Sequence, residues 1–328
     1  MDCFKLHPSL ENMHPSLSIE YEYFWFELSI NPNAVPLLER YPDQIKWDSL
    51  SSNTSAIDLL RRNKDKISWD ILSYNPKALP LLLKNPDRIC WPTLSGNTGA
   101  MEHLTKNPDK LDWDMLSRNP AALPLFTQYP DKVIPMMVSM NPGAIPFLTQ
   151  YPDKIDWSSL SGNPAAIKIL EANPDKLNWT MLSMNPAAMH ILEANPHKIN
   201  RRWICQNPSA LSYFLKQDPD TLYWDMLSEN PGAVPLLERY PDRIHWALLA
   251  CNPAAIDLLA KNLDKIHLSC LAKNPNAIHL FCVPDYAKMR EANEAFVQDL
   301  QTYVLNPDRV SRFARKYGLS FQHMVLAM

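Results

Sequence analysis

The sequence predicts an all-α solenoid of about 12 short helix-turn-helix repeats with N- and C-terminal caps. Three observations carry this. A tryptophan slot recurs every 22 residues, at Trp25, Trp47, Trp69, Trp91, Trp113, Pro135, Trp157, Trp179, Arg201, Trp224, Trp246 and Leu268, with one step of 23 where an extra residue falls near Gln217–Asp218. Asn follows that slot by six in all 12 copies, and Ala lies three further on in all 12. The array also runs from Tyr21 to about Phe281 without a linker. A period this short means stacked units before it means anything else.

In chain order, residues 1–20 hold two His-Pro-Ser-Leu phrases, His7–Leu10 and His14–Leu17, which do not match the repeat and read as an N-terminal cap. Residues 21–282 are the array, and 283–328 a C-terminal helical cap or docking tail. Within a copy, Asn followed by Pro starts a helix B: Asn accepts a backbone N–H, and Pro takes the first helical position, where no donor is needed. Ala166, Ile167, Ile169 and Leu170 then give a helical face, which ends where Asn or Tyr precedes the next Pro. That predicts about 8–10 residues. Pro36, Pro80, Pro124, Pro146 and Pro235 fall inside helix B, and four of these five copies end in Tyr (Tyr41, Tyr129, Tyr151, Tyr240) instead of Asn.

Pro-Asp-Lys-Ile, as in Pro152–Ile155, is a turn that delivers one apolar anchor, and Trp157 with Leu160 begins a helix A of one to two turns. Helices this short do not hold alone in water. Stacking must hold them, with Trp as core: a buried Trp removes roughly 150–250 Å² from water, about 4–6 kcal/mol before ordering entropy. The Ala slot marks close approach, and the Ser slot after Leu, with Cys205, Ala250 and Ala272 as replacements, reads as a demand for small size. Helices stacked about 8–10 Å apart predict an elongated arc or superhelix on the order of 100 Å. A leucine-rich-repeat-like coil, with Ile-x-Trp as a short strand, is the structural alternative. Past Cys282 the pattern predicts helices over 286–305 and 309–317 and a last apolar segment, 319–328.

Composition bounds the function. The 328 residues are 46% hydrophobic and 20% charged with net charge −3, so they suit a continuous core and disfavour nucleic acid, whose affinity rests on clustered Lys and Arg. Six cysteines without framework spacing read as reduced thiols in an intracellular, cytosolic protein. No signal peptide and no stretch of ~18 apolar residues is evident, so no membrane role is expected. With six Gly there is no phosphate loop or nucleophile elbow, and no zinc spacing occurs. The expectation is a non-enzyme with no cofactor, no metal and no catalytic residues. The Asp of the Pro-Asp turn suits helix N-termini better than a cation site, because Lys or Arg usually follows it.

Two features suggest a partner surface. A methionine stripe in the slots two and five residues after Trp includes Met137, Met140, Met181 and Met184, with Ile71 and Tyr74 in the same slots, and reads either as core or as an adaptable face. Lys198, Arg201, Arg202 and Trp203 stand in the copy that breaks period, either as a solvated turn or as a seat for an acidic partner segment. Several stacking rules fail together over 198–218, which predicts a discontinuity there.

The phrase Trp-x-x-Leu-Ser-x-Asn-Pro-x-Ala-Ile-x-Leu-Leu-x-x-Asn-Pro-Asp-Lys-Ile, nearly whole in residues 157–177, resembles tandem-repeat proteins of giant and other large DNA viruses of eukaryotes. The tail Leu305-Asn306-Pro307-Asp308-Arg309-Val310 is similar to endings of such proteins. The resemblance implies viral origin and an interaction role, in host cytoplasm, viral factory or virion, and brings no catalytic residues. Pro135, Arg201 and Leu268 depart from the phrase. The expected function is a protein-protein interaction scaffold with a viral or host protein partner. A minor capsid or core-associated virion component is the alternative, and a nucleic-acid-binding repeat protein comes after that.

Overall fold

The computed structural model describes residues 4–6, 19–266, 268–280 and 282–284. Most of the expected N-terminal cap and all three segments expected after 285 lie outside the described residues. Contacts divide the chain into two units, 13–280 and 1–12 with 281–328. In the second, strand β1 (Phe4–Leu6) pairs antiparallel with strand β2 (Cys282–Pro284), in the register Phe4↔Pro284, Lys5↔Val283 and Leu6↔Cys282. The sequence pattern does not signal this pairing, because three-residue strands carry no periodicity.

The larger unit is an all-α repeat solenoid. Repeat 7 shows the anatomy. Asp156 caps helix A (Trp157–Ser161) by accepting the Ser159 N–H at 2.8 Å. Asn163 is extended, and its Oδ1 accepts the Ala165 N–H at 3.0 Å, opening a 3₁₀ turn (Pro164–Ala166) that runs into an α-helical Ile167–Glu171. Helix B is thus eight residues long, the first three wound more tightly. A second 3₁₀ turn, Pro174–Lys176, leads to extended Leu177 and the next helix A. The slot that a leucine-rich coil would give to a strand is two extended residues, Leu177 and Asn178 in this copy, and no strand occurs among the described residues of 19–280. The five prolines noted within helix B sit at the second residue of their α-helical segments, as in Val35–Leu38 and Val234–Arg239, where Pro removes no helical hydrogen bond.

The core is formed by the Leu three residues after the Trp slot and by the slot Ala. Leu50, Leu72, Leu94, Leu116, Leu160, Leu182 and Leu227 are fully buried, and the Ala is buried in all 12 repeats. The Trp slot is different from its expected place. Trp25 is buried, but Trp47, Trp69, Trp91, Trp113, Trp157, Trp179, Trp224 and Trp246 are half-buried at the edge of the core. Their free faces carry lysines from the following turn: Lys66 lies over Trp47 at 4.8 Å, Lys110 over Trp91 at 4.5 Å and Lys176 over Trp157 at 4.6 Å. Where Tyr ends the repeat it packs on the repeat's own Trp, with ring centroids at 5.7 Å for Trp25–Tyr41 and for Trp113–Tyr129. The Asn it replaces donates instead to a helix-B carbonyl four residues back, as Asn173 does to Ile169 at 2.8 Å. In repeat 6, where Pro135 removes the Trp, Tyr151 leans on Phe147 at 4.8 Å.

Two polar lattices join the repeats. Each slot Asn donates its Nδ2 back into the preceding repeat: Asn185 reaches Ser161 O at 3.0 Å and Asn163 O at 3.1 Å. The slot Ser is a relay, so small size alone is an incomplete reading. Ser183 donates to Trp179 O at 2.7 Å and accepts the N–H of Asn200, in the next repeat, at 2.9 Å. Cys205 keeps both roles: its thiol donates to Arg201 O at 3.4 Å and accepts the Tyr223 N–H, while burial pushes its pKa up. The ladder also crosses the 23-residue step, with Asn230 donating to Cys205 O at 2.7 Å and Asn207 O at 3.0 Å. Repeat 9 absorbs its irregularity locally, as a short 3₁₀ turn (Trp203–Gln206) in place of helix A and an Asp218 cap before Pro219.

The same ladder corrects the expectation of an open arc. Asn31, in repeat 1, donates to Ala272 O at 3.1 Å and Asn274 O at 3.2 Å, in repeat 12. The first A helix, Ile19–Ile30, packs against the last, Leu268–Lys273, and buries Leu28 and Leu271 completely. The array is a closed circuit of 12 repeats with no free end. Ala272 replaces the relay Ser for a local reason. The first A helix begins six residues before Trp25, so the N–H that a relay would receive is already inside a helix.

The A helices approach their neighbours more closely around the circuit than the B helices do. In a closed circuit the more closely spaced layer lies inside, so the A helices form the inner layer. Backbones approach closely where Gly stands between slot Pro and slot Ala: a Cβ on Gly143 would lie 2.0 Å from Pro120 O. Backbone cannot swing aside as a side chain can, so Gly143→Ala is expected to cost ~1–3 kcal/mol in urea unfolding. A variant as stable as the parent would mean that repeats 5 and 6 separate freely.

Candidate functional site

The inner layer carries most of the exposed apolar bulk. Among the described residues, nine of the 12 large hydrophobic side chains that stand exposed lie on A helices or immediately before the Trp slot, including Phe26, Ile71, Tyr74, Met136, Met140 and Tyr223. The slot after Trp adds exposed carboxylates at Asp48, Asp70, Asp114 and Asp225. The face is therefore apolar with an acidic fringe, a poor match for phosphate backbones. At Gly96 the ring of Tyr74 and the Met115 Cε crowd the space a Cβ would fill, at 2.6 and 3.0 Å, so side chains from repeats 3 and 5 meet over repeat 4. Met181 covers Gly162 in the same way, with its Cε at 3.1 Å.

The methionine stripe divides accordingly. Met137, Met181 and Met184 are half-buried, partly committed to packing, and Met140 is exposed at 53%. Lys198, Arg201, Arg202 and Trp203 do not gather into one cluster. Lys198 is held over Trp179 at 4.5 Å, and Arg202 over Tyr223 at 5.9 Å. The exposed Arg201 faces helix B, where its charge acts on Tyr213, whose pKa is raised chiefly by burial. Trp203 is half-buried in the slot that Met181 and Met226 occupy in the flanking repeats.

At the circuit's seam, Tyr23 donates to Glu27, and that hydrogen bond raises its pKa. Burial pushes Cys251 up to about 11, and its thiol donates to Cys270 O at 3.6 Å. A thiol so protonated near neutral pH is a poor nucleophile. Cys90, Cys205, Cys251 and Cys270 are free thiols. No group of three His, Cys, Asp or Glu able to hold a metal ion occurs among the described residues. No described helix is long and apolar enough to cross a membrane. Pairing by Lys and Arg disperses the acidic row of the turns, with Lys154 on Asp131 at 3.4 Å and Arg243 on Asp220.

Sequence reasoning singled out part of this face through its methionines. It placed Ile71 and Tyr74 in the same two slots as those methionines but missed Phe26, one residue after the Trp slot. It also missed a groove between helices B of repeats 6 and 7, lined by Trp157, Lys168, Ala172 and Lys176. The available signal was the slot of Ala172, which holds Arg, Lys or Gln in all the other repeats from 1 to 11 except repeat 8, where Ala194 stands. Comparison with protein families, curated proteins and solved structures returns no match.

Proposed function

We propose that the chain is a non-enzymatic protein-interaction scaffold of a large DNA virus, acting on a viral or host protein in infected cells. The observation that carries this reading is the exposed apolar bulk on the inner layer. Tyr74, Met136 and Met140 each remain about half exposed in that layer, and exposed apolar side chains gathered on one face are a mark of interaction surfaces. Their methionines and aromatics suit adaptable contact with a folded or helical partner segment. The viral assignment rests on the repeat phrase of residues 157–177. Residence in infected-cell cytoplasm, viral factory or particle is part of the same proposal, and proteomics of purified particles separates a packaged component from an adaptor.

The test is a photo-crosslinker placed at Met140, with a control at exposed Lys64, in extracts of infected cells. A discrete protein adduct from Met140, absent from Lys64 and reduced several-fold by Tyr74→Ser, is the expected result. Equal adducts from both positions, or adducts to nucleic acid, would remove the inner layer as a protein-binding face.

A further inference from the structure

The outer layer contains one groove that its own repeat rules do not explain. Between the B helices of repeats 6 and 7 lies a half-open groove of ≈ 500 Å³, with Ile145 and Leu148 on one wall and Trp157 on the other. In nine repeats the Ala172 slot holds a long side chain: Arg40, Arg62, Lys84, Lys106, Gln128, Gln150, Lys216, Arg239 and Lys261. Ala172 withdraws that cover here. Lys168 adds a cation in a slot that elsewhere holds Pro, Asp, Glu, Ser or His. Lys176, held 4.6 Å from the Trp157 ring centroid, supplies a second. No carboxylate lines the groove, and Lys168 makes no ion pair among the described residues.

We propose that this groove binds an acidic, apolar-anchored segment of a protein partner, with a Leu or Phe side chain against Trp157 and flanking Asp or Glu carboxylates on Lys168 and Lys176. The volume lies in the range of sites that enclose one or two large side chains. The two ammonium groups sit on the rim, where ion pairs are weak singly, so the apolar anchor carries most of the affinity and the lysines select the sign of its neighbours. This site rests on the scaffold reading but uses the opposite layer, giving the scaffold a second and chemically different partner face.

The probe is a fluorescein-labelled hexapeptide, Glu-Asp-Phe-Glu-Asp-Leu, followed by anisotropy with the full chain. Ala172→Gln restores the neutral cover that repeats 5 and 6 carry in the same slot, so it fills the groove without changing charge. It is expected to weaken binding by at least ~10-fold, as loss of a buried anchor does, whereas Ala194→Gln, one repeat away, leaves it unchanged. Lys168→Glu is expected to weaken it by ~3–10-fold, an effect that shrinks with salt. Absence of saturable binding to the parent chain, equal binding by Ala172→Gln, or equal binding of the peptide with Lys in place of its acids would overturn the proposal. So would laurate occupying the groove while the peptide does not, which would assign a fatty carboxylate instead. Loss of this site with Met140 crosslinking intact removes the groove alone, and loss of Met140 crosslinking with peptide binding intact removes the inner-layer reading alone.

Discussion

Replacing Asn185 by Ala is expected to lower the unfolding free energy by ~2–6 kcal/mol. Asn185 is fully buried and has three hydrogen-bonded partners: it accepts the Ala187 N–H at 3.0 Å and donates to Ser161 O and Asn163 O at 3.0 and 3.1 Å. They are not equally dependent on it. Asn163 O also accepts Ala166 N–H at 3.1 Å and keeps that bond. Ser161 O is left without a partner inside the stack, at roughly 1–3 kcal/mol, and the turn at exposed Ala187 loses its cap, at roughly 0.5–2 kcal/mol, with the cavity left by the amide in addition. Asn185→Asp is expected to be worse at neutral pH, because it keeps the acceptor but turns the two donations into contact between a buried carboxylate and two carbonyl oxygens. Acid should narrow the gap between the two variants as the carboxyl regains a proton. Urea unfolding at two pH values measures both. A loss below ~1 kcal/mol for Asn185→Ala would mean that water enters the ladder and that apolar stacking alone holds the repeats.

The repeat, its register and the helical state of both elements were legible because each slot accepts so few residue types. Asn before Pro states a helix start wherever it falls. The ladder was legible only in part: the cap made by Asn163 follows from local rules, whereas the two carbonyls its amide faces belong to another repeat, and a period says nothing of what lies across an interface. The relay was misread for a related reason. Ser, Cys and Ala share small size, and only the backbone N–H of the next repeat distinguishes the positions where a polar atom is needed from Ala272, where the N–H is already inside a helix. Trp157 was placed too deep, since its regular recurrence is equally compatible with an edge residue covered by Lys176. Within the A-helix face, Met140 and Tyr74 were legible from the slot they share, whereas the groove at Ala172 was missed because it depends on what neighbouring repeats leave uncovered.

Closure was the least legible feature, and it leads to the largest expected effect. Curvature is the small rotation between adjacent repeats, and a 22-residue period contains no angle. Each of the 12 steps must turn the array by roughly one-twelfth of a circle for Asn31 to meet Ala272 and Asn274, and close approaches such as Gly143 on Pro120 help to set that rotation. Spin labels at Ser55→Cys and Asn276→Cys, in a chain with its native cysteines replaced by Ser, are then separated by two repeats across the seam. At ~8–10 Å per stacked helix, the expected mean distance is about 20 Å, against on the order of 100 Å along an open array. Pulsed dipolar spectroscopy separates these outcomes without reference to the other unit of the chain. Adding Leu28→Asp places a charge at a completely buried seam position and is expected to broaden the distribution toward the long distances while the helical signal stays largely intact. A mean beyond ~50 Å in the parent chain would show an open solenoid, in which Asn31 no longer donates across the seam in solution.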